Sequence, residues 1–361
     1  MPVRTLLSGV LAGVITAGLF AVPAVAAPPV DIVELPISFA VKNTNRTGVP
    51  CVSDGKTYTV NGVIVGPRNA VAGGRDLGAA TLMLHAVTWT SDYFNLDIPG
   101  HNYSRALAAL GHTTIAVDRL GYGASGKPEG RGTCFGSEAD VAGQMVDALK
   151  SGDYTVKGAK GGAYQKVFLG GSSVGGMIAN ITAYTFHNVD AVINQGFGDF
   201  AASAYAGQEV FDASARCASG GDANALKDYA VFAKSTRDTF YFNDAEQDVR
   251  DAVPAMRPDP CGQIESVMAG IGADIVHLAE IDVPVLLVFG IKDAVYPPPA
   301  ILLQMYRYVG SPEVTPAGIP GASHFPVLEN NFNLMINATA QWLDNRVKPA
   351  PREVKPCPQP C

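Results

Sequence analysis

The chain has 361 residues, 47% of them hydrophobic and 16% charged, with a formal net charge of -7. This is enough apolar material for one large α/β domain or two smaller ones, and too much for a disordered chain. The acidic balance, with no basic run, argues against nucleic acid as a partner.

The first residues carry an export pattern. Arg4 precedes an apolar run from Leu6 to Val22, and Ala24-Val25-Ala26 forms an Ala-x-Ala cleavage site. We therefore expect a signal peptide over 1–26 and a secreted mature protein. The run is broken by Gly and Pro23 and is short against the roughly 20 residues that span a bilayer, so no stable membrane span is expected after cleavage. Six cysteines (Cys51, Cys134, Cys217, Cys261, Cys357 and Cys361) suit structural disulfides in an oxidising compartment. Their spacing leaves the pairing open; Cys51 with Cys134, Cys217 with Cys261 and Cys357 with Cys361 is the expected set. No spacing resembles a zinc site, and no metal or cofactor is expected.

In chain order, Ile37 to Val41 and Lys56 to Val65 read as an entry hairpin, the second strand alternating as Thr-Tyr-Thr-Val. Ala80 to His85 reads as a buried strand and Ser91 to Leu110 as a helix ending at Gly111. Thr113 to Val117 is a strand, Ser137 to Leu149 a helix and Lys166 to Gly170 a strand. Then come a helix over Met177 to Phe186, a strand at Ala191 to Asn194 and another at Pro284 to Phe289. A helix over Pro298 to Val309, a short strand near Glu313 to Pro316 and a helix from Asn331 to Asn345 follow. Strands alternating with helices predict an α/β fold whose mostly parallel, doubly wound sheet is covered on both faces.

Between the sixth and seventh strands, 200–281 shows helical patterns and no clear strand, and is rich in aromatics. A stretch of that length is not a structureless loop. The expected organisation is a core over 27–199 and 282–345, a helical cap over 200–281, and a Pro-rich tail over 346–361.

The strand Lys166 to Gly170 runs into Gly171-Ser-Ser-Val-Gly175, a Gly-x-Ser-x-Gly turn centred on Ser173. A serine on a sharp strand-to-helix turn needs small neighbours, because a Cβ there meets the adjoining strand or helix. An activated serine also needs a base and a group to orient that base. Of six histidines, His324 lies in a Gly/Ala/Ser loop after the last strand and is the expected base. His85 ends a strand and is expected to shape the loop there. Asp293, which closes Val-Phe-Gly-Ile-Lys-Asp, is the expected acid, with Asp199 as the alternative. An oxyanion hole needs two backbone donors: Val174 N–H is one, and Val87 or Ala86 N–H the other.

On Gly171 to Gly175, Asp118-Arg-Leu-Gly-Tyr-Gly-Ala-Ser-Gly-Lys-Pro128, Gly290 to Asp293 and Gly321-Ala-Ser-His324, the chain resembles the α/β-hydrolase fold superfamily over about residues 57 to 345. The resemblance implies that the Asp118 segment is structural. Relatives commonly carry His-Gly after the third strand, where this chain has His85-Ala86. Serine at 173, rather than aspartate, argues against dehalogenase and epoxide-hydrolase chemistry.

The expected activity is a secreted serine hydrolase acting on a small ester or lactone with an apolar acyl or aryl group. Alternatives on the same triad are a proline-type aminopeptidase, with Glu209, Asp244, Glu246 or Asp248 holding an ammonium, a lactonase, and a cofactor-free perhydrolase. A non-catalytic hydrolase-like binding protein is a further alternative. Dinucleotide binding is disfavoured, because the glycines do not match Gly-x-Gly-x-x-Gly.

Overall fold

The structure is a computed structural model that describes residues 30–71 and 76–347. The expected signal peptide, Cys357 and Cys361 lie outside these residues. Strands β1 (Ile32–Lys42) and β2 (Thr57–Pro67) form an antiparallel ladder with Ile32 opposite Pro67 and Lys42 opposite Thr57. Burial alternates along β1, as befits a strand with one wet face. After a short α1 (Arg68–Val71) come β3 (Asp76–Leu84), α2 (Tyr103–Ala109), β4 (Thr114–Val117) and α3 (Phe135–Ser151). Two short strands, β5 (Thr155–Val156) and β6 (Ala159–Lys160), precede β7 (Ala163–Ser172), α4 (Val174–Phe186) and β8 (Ala191–Gln195).

The segment that follows β8 holds α5 (Ala204–Ala218), β9 (Tyr229–Ala230), α6 (Arg237–Tyr241), α7 (Gln247–Ala252), β10 (Asp259–Pro260) and α8 (Cys261–His277). The chain then re-enters the sheet as β11 (Val285–Gly290), α9 (Pro299–Met305), β12 (Val314–Ile319) and α10 (Phe332–Asp344). The strand order is β12-β11-β8-β7-β3-β4-β2-β1-β5-β6, parallel from β12 to β4 and antiparallel beyond. Every residue of β4, β8 and β11 is buried, which explains the apolar runs Ile115 to Val117, Ala191 to Ile193 and Val285 to Phe289. Helices α3, α4 and α8 pack together on one face, and α2 packs against α10 on the other.

Two expectations need correction, and one element is additional to them. The helix expected over Ser91 to Leu110 is a short 3-10 turn, Ser91–Tyr93, and then α2. Pro99 and Gly100 (φ 82°) break it, and Asn102 restarts it by accepting the Arg105 N–H at 2.8 Å. The stretch 200–281 is not purely helical, because β9 and β10 pair with Asp259 opposite Ala230. The small β5–β6 hairpin was not expected; it turns on Lys157 (φ 50°) and Gly158 (φ 77°).

The segment between β8 and β11 is tied to the sheet at several points. Arg131 bonds Asp228, the Cys217 carbonyl and Glu265. Tyr229 donates to the Pro128 carbonyl at 3.0 Å, and Trp89 stacks on Tyr241 with centroids 5.1 Å apart. Disulfides join Cys51 to Cys134 and Cys217 to Cys261. Among the described residues no helix is long and apolar enough to cross a membrane.

Candidate active site

Ser173 stands between the end of β7 and the start of α4 with φ 52° and ψ -125°. That conformation is strained for a residue with a side chain, by about 1–3 kcal/mol. The surrounding glycines show why the turn tolerates nothing larger. A Cβ on Gly171 would run into the Gly175 backbone, and one on Gly175 into the Leu84 carbonyl. The turn is pinned by Ser173 N–H to the Gln195 carbonyl at 2.7 Å. Its Oγ therefore sits at the carboxyl ends of the parallel strands, where open α/β sheets place their ligands.

The loops after β11 and β12 come to the same point. His324 Nε2 lies 2.9 Å from Ser173 Oγ, and its Nδ1 lies 2.8 Å from Asp293 Oδ2. The other oxygen of Asp293 accepts the N–H groups of Val295 and Tyr296 at 2.7 and 2.9 Å. Those two bonds fix the carboxylate, so Nδ1 carries the proton and Nε2 faces the serine with its lone pair. All three side chains are nearly closed to solvent.

Asp199 is not brought to His324. Its carboxylate Oδ2 accepts from Gln304 Nε2 at 2.9 Å, and burial pushes it up to about 6. The remaining histidines lie elsewhere: His101 bonds the Val327 carbonyl, and His112, His187 and His277 lie beside Asp344, Asp282 and Glu280.

His85 is buried beneath the loop after β3. The Arg119 N–H donates to its Nε2 at 3.0 Å, which leaves the proton on Nδ1, 2.7 Å from the Ala86 carbonyl. Burial, with Arg119 adding to it, holds this imidazole well below the ordinary histidine range, so it stays neutral. A trans peptide places N–H opposite C=O. Anchoring the Ala86 oxygen on His85 thus turns Val87 N–H the other way. Val87 lines the cavity beside Ser173 and Ala86 does not. Val87 N–H makes no hydrogen bond among the described residues, and Val174, as the first residue of α4, has no helical partner for its own.

The cavity over Ser173 measures about 330 Å³. From the sheet side it is lined by Val87, Phe197, Val295, Tyr296 and Phe325, and from the other by Ala206, Val210, Phe232, Phe240, Tyr241 and Ile271. The wall is largely apolar, which suits a small hydrophobic ligand with a few placed polar groups. The aromatics expected over the site divide in two: Phe232, Phe240 and Tyr241 line the cavity, while Tyr205 and Phe211 are exposed. Sequence reasoning missed Asp259, which is fully buried behind the cavity wall and bonds the Thr88 N–H at 2.8 Å.

The sequence matches the description "Alpha/beta hydrolase family" over residues 65–334. No curated protein matches it in sequence. Among solved structures it is similar to a thermophilic esterase from Thermogutta terrifontis, with 17% identity and TM-score 0.54, covering 85% of this chain and 98% of that one. It is similar to a monoacylglycerol lipase from Paleococcus ferrophilus, with 16% identity and TM-score 0.53, covering 74% and 94%. It is also similar to a bromoperoxidase from Bacillus anthracis, with 16% identity and TM-score 0.54, covering 86% and 99%. At such identities the likeness is one of fold, shared by proteins of differing chemistry.

Proposed function

The chain belongs to the alpha/beta hydrolase family, and from that premise we propose that it is a serine hydrolase cleaving carboxylic esters through an acyl-enzyme on Ser173. The observation that carries the reading is the unbroken relay from Asp293 through His324 to Ser173 Oγ at the floor of an apolar cavity. His324 takes the Ser173 proton as Oγ attacks the ester carbonyl, and Asp293 stabilises the imidazolium that forms. The tetrahedral oxyanion is held by Val174 and Val87 N–H. Its collapse breaks the bond to the leaving alcohol, which receives the proton from His324. Water, activated by His324 in turn, releases the acid and restores the serine.

The segment 200–281 acts as a cap that supplies the acyl wall, so the preferred substrate is a small ester or lactone with an apolar acyl or aryl group. The expected export signal and the disulfides Cys51–Cys134 and Cys217–Cys261 support secretion. Aminopeptidase activity has little support: Glu209 is buried against Ser235, and Asp244, Glu246 and Asp248 are not among the cavity residues. Labelling by a fluorophosphonate, together with turnover of p-nitrophenyl esters, tests the reading. Labelling of wild type at Ser173, abolished in Ser173→Ala, is the expected outcome.

A further inference from the structure

We propose that Asp259, carried by the segment between β8 and β11, is a positioning residue for the oxyanion hole, an inference that rests on the acyl-enzyme reading above. The donor concerned is Val87 N–H, which lies on the loop between β3 and the 3-10 turn. Its own peptide plane is anchored at the far end, where the Ala86 oxygen accepts from His85. Arg119 Nη2 also reaches that oxygen, at 3.4 Å, but both bonds act at the same far end of the plane, so the planes after Val87 must be held as well.

They are held from the other side of the cavity. Thr88 N–H donates to Asp259 Oδ1 at 2.8 Å, and the Thr88 carbonyl accepts the Arg257 N–H at 2.9 Å. Thr88 needs such support. Its φ of 65° lies in the left-handed region that a β-branched residue avoids. Residues 257 and 259 thus grip the planes on both sides of Thr88, directly after the donor.

The chemistry of Asp259 fits this task. A fully buried carboxylate costs stability unless its oxygens are satisfied. Here Oδ1 accepts from Thr88 N–H and, at 2.7 Å, from Tyr122 O–H, while Oδ2 accepts from Phe232 N–H at 3.2 Å. Only a carboxylate offers two acceptor oxygens to donors arriving from three separate segments. Four residues on, Gln263 Oε1 accepts from Arg119 Nη1 at 2.8 Å, and Arg119 N–H is the group that sets the His85 tautomer. The stretch from 257 to 263 therefore reaches both anchors of the donor loop. The sheet supplies Val174 N–H unaided, but the second donor is completed by the segment over the cavity.

A misplaced oxyanion donor weakens transition-state binding and leaves ground-state binding alone, so kcat falls while KM stays. The test uses the mature chain, residues 27–361, as wild type, Asp259→Ala and Asp259→Asn. Kinetics on p-nitrophenyl butyrate are paired with thermal melting. Asp259→Ala is expected to lose about tenfold or more in kcat, with KM within about twofold and a cooperative melt. Asp259→Asn keeps one acceptor oxygen, and its loss is expected near threefold, a partial rescue a mere packing role does not give. If the alanine variant does not fold, the asparagine variant decides: about a threefold kcat loss at constant KM supports the clamp, and wild-type kcat overturns it. A folded alanine variant with unchanged kcat, or with its whole loss in KM, also overturns it. Wild type that neither turns over nor is labelled at Ser173 contradicts the acyl-enzyme reading, and the clamp falls with it.

Discussion

His324 Nε2 meets Ser173 Oγ at 2.9 Å across 151 residues of chain. The meeting follows from the sheet. β7, β11 and β12 run parallel with β8 between β7 and β11, and the loops that leave their carboxyl ends share one edge. Ser173 follows β7 directly, Asp293 closes the turn after β11, and His324 ends the loop after β12.

Replacing Asp293 by Asn tests the orienting role without moving the loop. The remaining oxygen still accepts the Val295 and Tyr296 N–H groups. The amide turned toward Nδ1 then favours the wrong imidazole tautomer. We expect kcat to fall by roughly 10⁴ with the fold retained. Asp199→Asn, whose carboxyl bonds Gln304, is the comparison and is expected to keep far more activity. Equal losses in the two variants would contradict the assignment of the acid.

Ile271, on α8, lines the cavity opposite the sheet. Ile271→Trp is expected to fill acyl space and lower kcat/KM for long p-nitrophenyl esters by about tenfold relative to the acetate, of the order a few buried methylenes carry. A chain-length profile measured on both proteins checks this. Identical profiles would place the acyl group elsewhere.

The Cys217–Cys261 disulfide closes 44 residues of chain that include β9, α6, α7 and β10. Loop-closure entropy alone assigns such a link about 4 kcal/mol. Denaturant unfolding of Cys217→Ser with Cys261→Ser should show a loss of about that size or smaller. Unchanged stability would mean that the pair does not contribute.

Glu138 is buried beside Arg119, Thr133 and Gln263, and burial pushes its carboxyl up to about 7 against an ordinary 4.5. The folded state then holds this proton over a pH range where the unfolded chain has lost it. The contribution is fully present below about 4.5 and is lost as pH rises to about 7, at most about 3 kcal/mol. Glu138→Gln removes that slope. Its melting temperature relative to wild type should rise between pH 4.5 and 8; parallel curves would contradict a neutral buried Glu138.

Much of the fold was readable because its constraints are local. Buried strands betray themselves as apolar runs, and the glycines around Ser173 answer to clashes a few residues away. The position of Asp293 and His324 after successive strands was readable from order alone. The break at Pro99 and Gly100 is also written in the sequence, but apolar residues at helical spacing run across it and mask it. β9 and β10 have two residues each, too few for any period to register. β5 and β6 turn on Lys157-Gly158, where the first position lacks the Asn or Asp that usually announces such a turn. Asp259 lies 171 residues from Thr88, and a lone aspartate before Pro260 reads as a solvated turn. Only the folded chain shows what it grips.

The most direct measurement is hydrolysis of p-nitrophenyl esters from two to sixteen carbons by residues 27–361, with Ser173→Ala alongside. An acyl-enzyme on Ser173 requires turnover by wild type, greatest at a chain length the cavity admits, and none by the variant despite an unaltered fold. A variant that keeps wild-type activity, or a folded wild type with no turnover and no fluorophosphonate labelling, would contradict it.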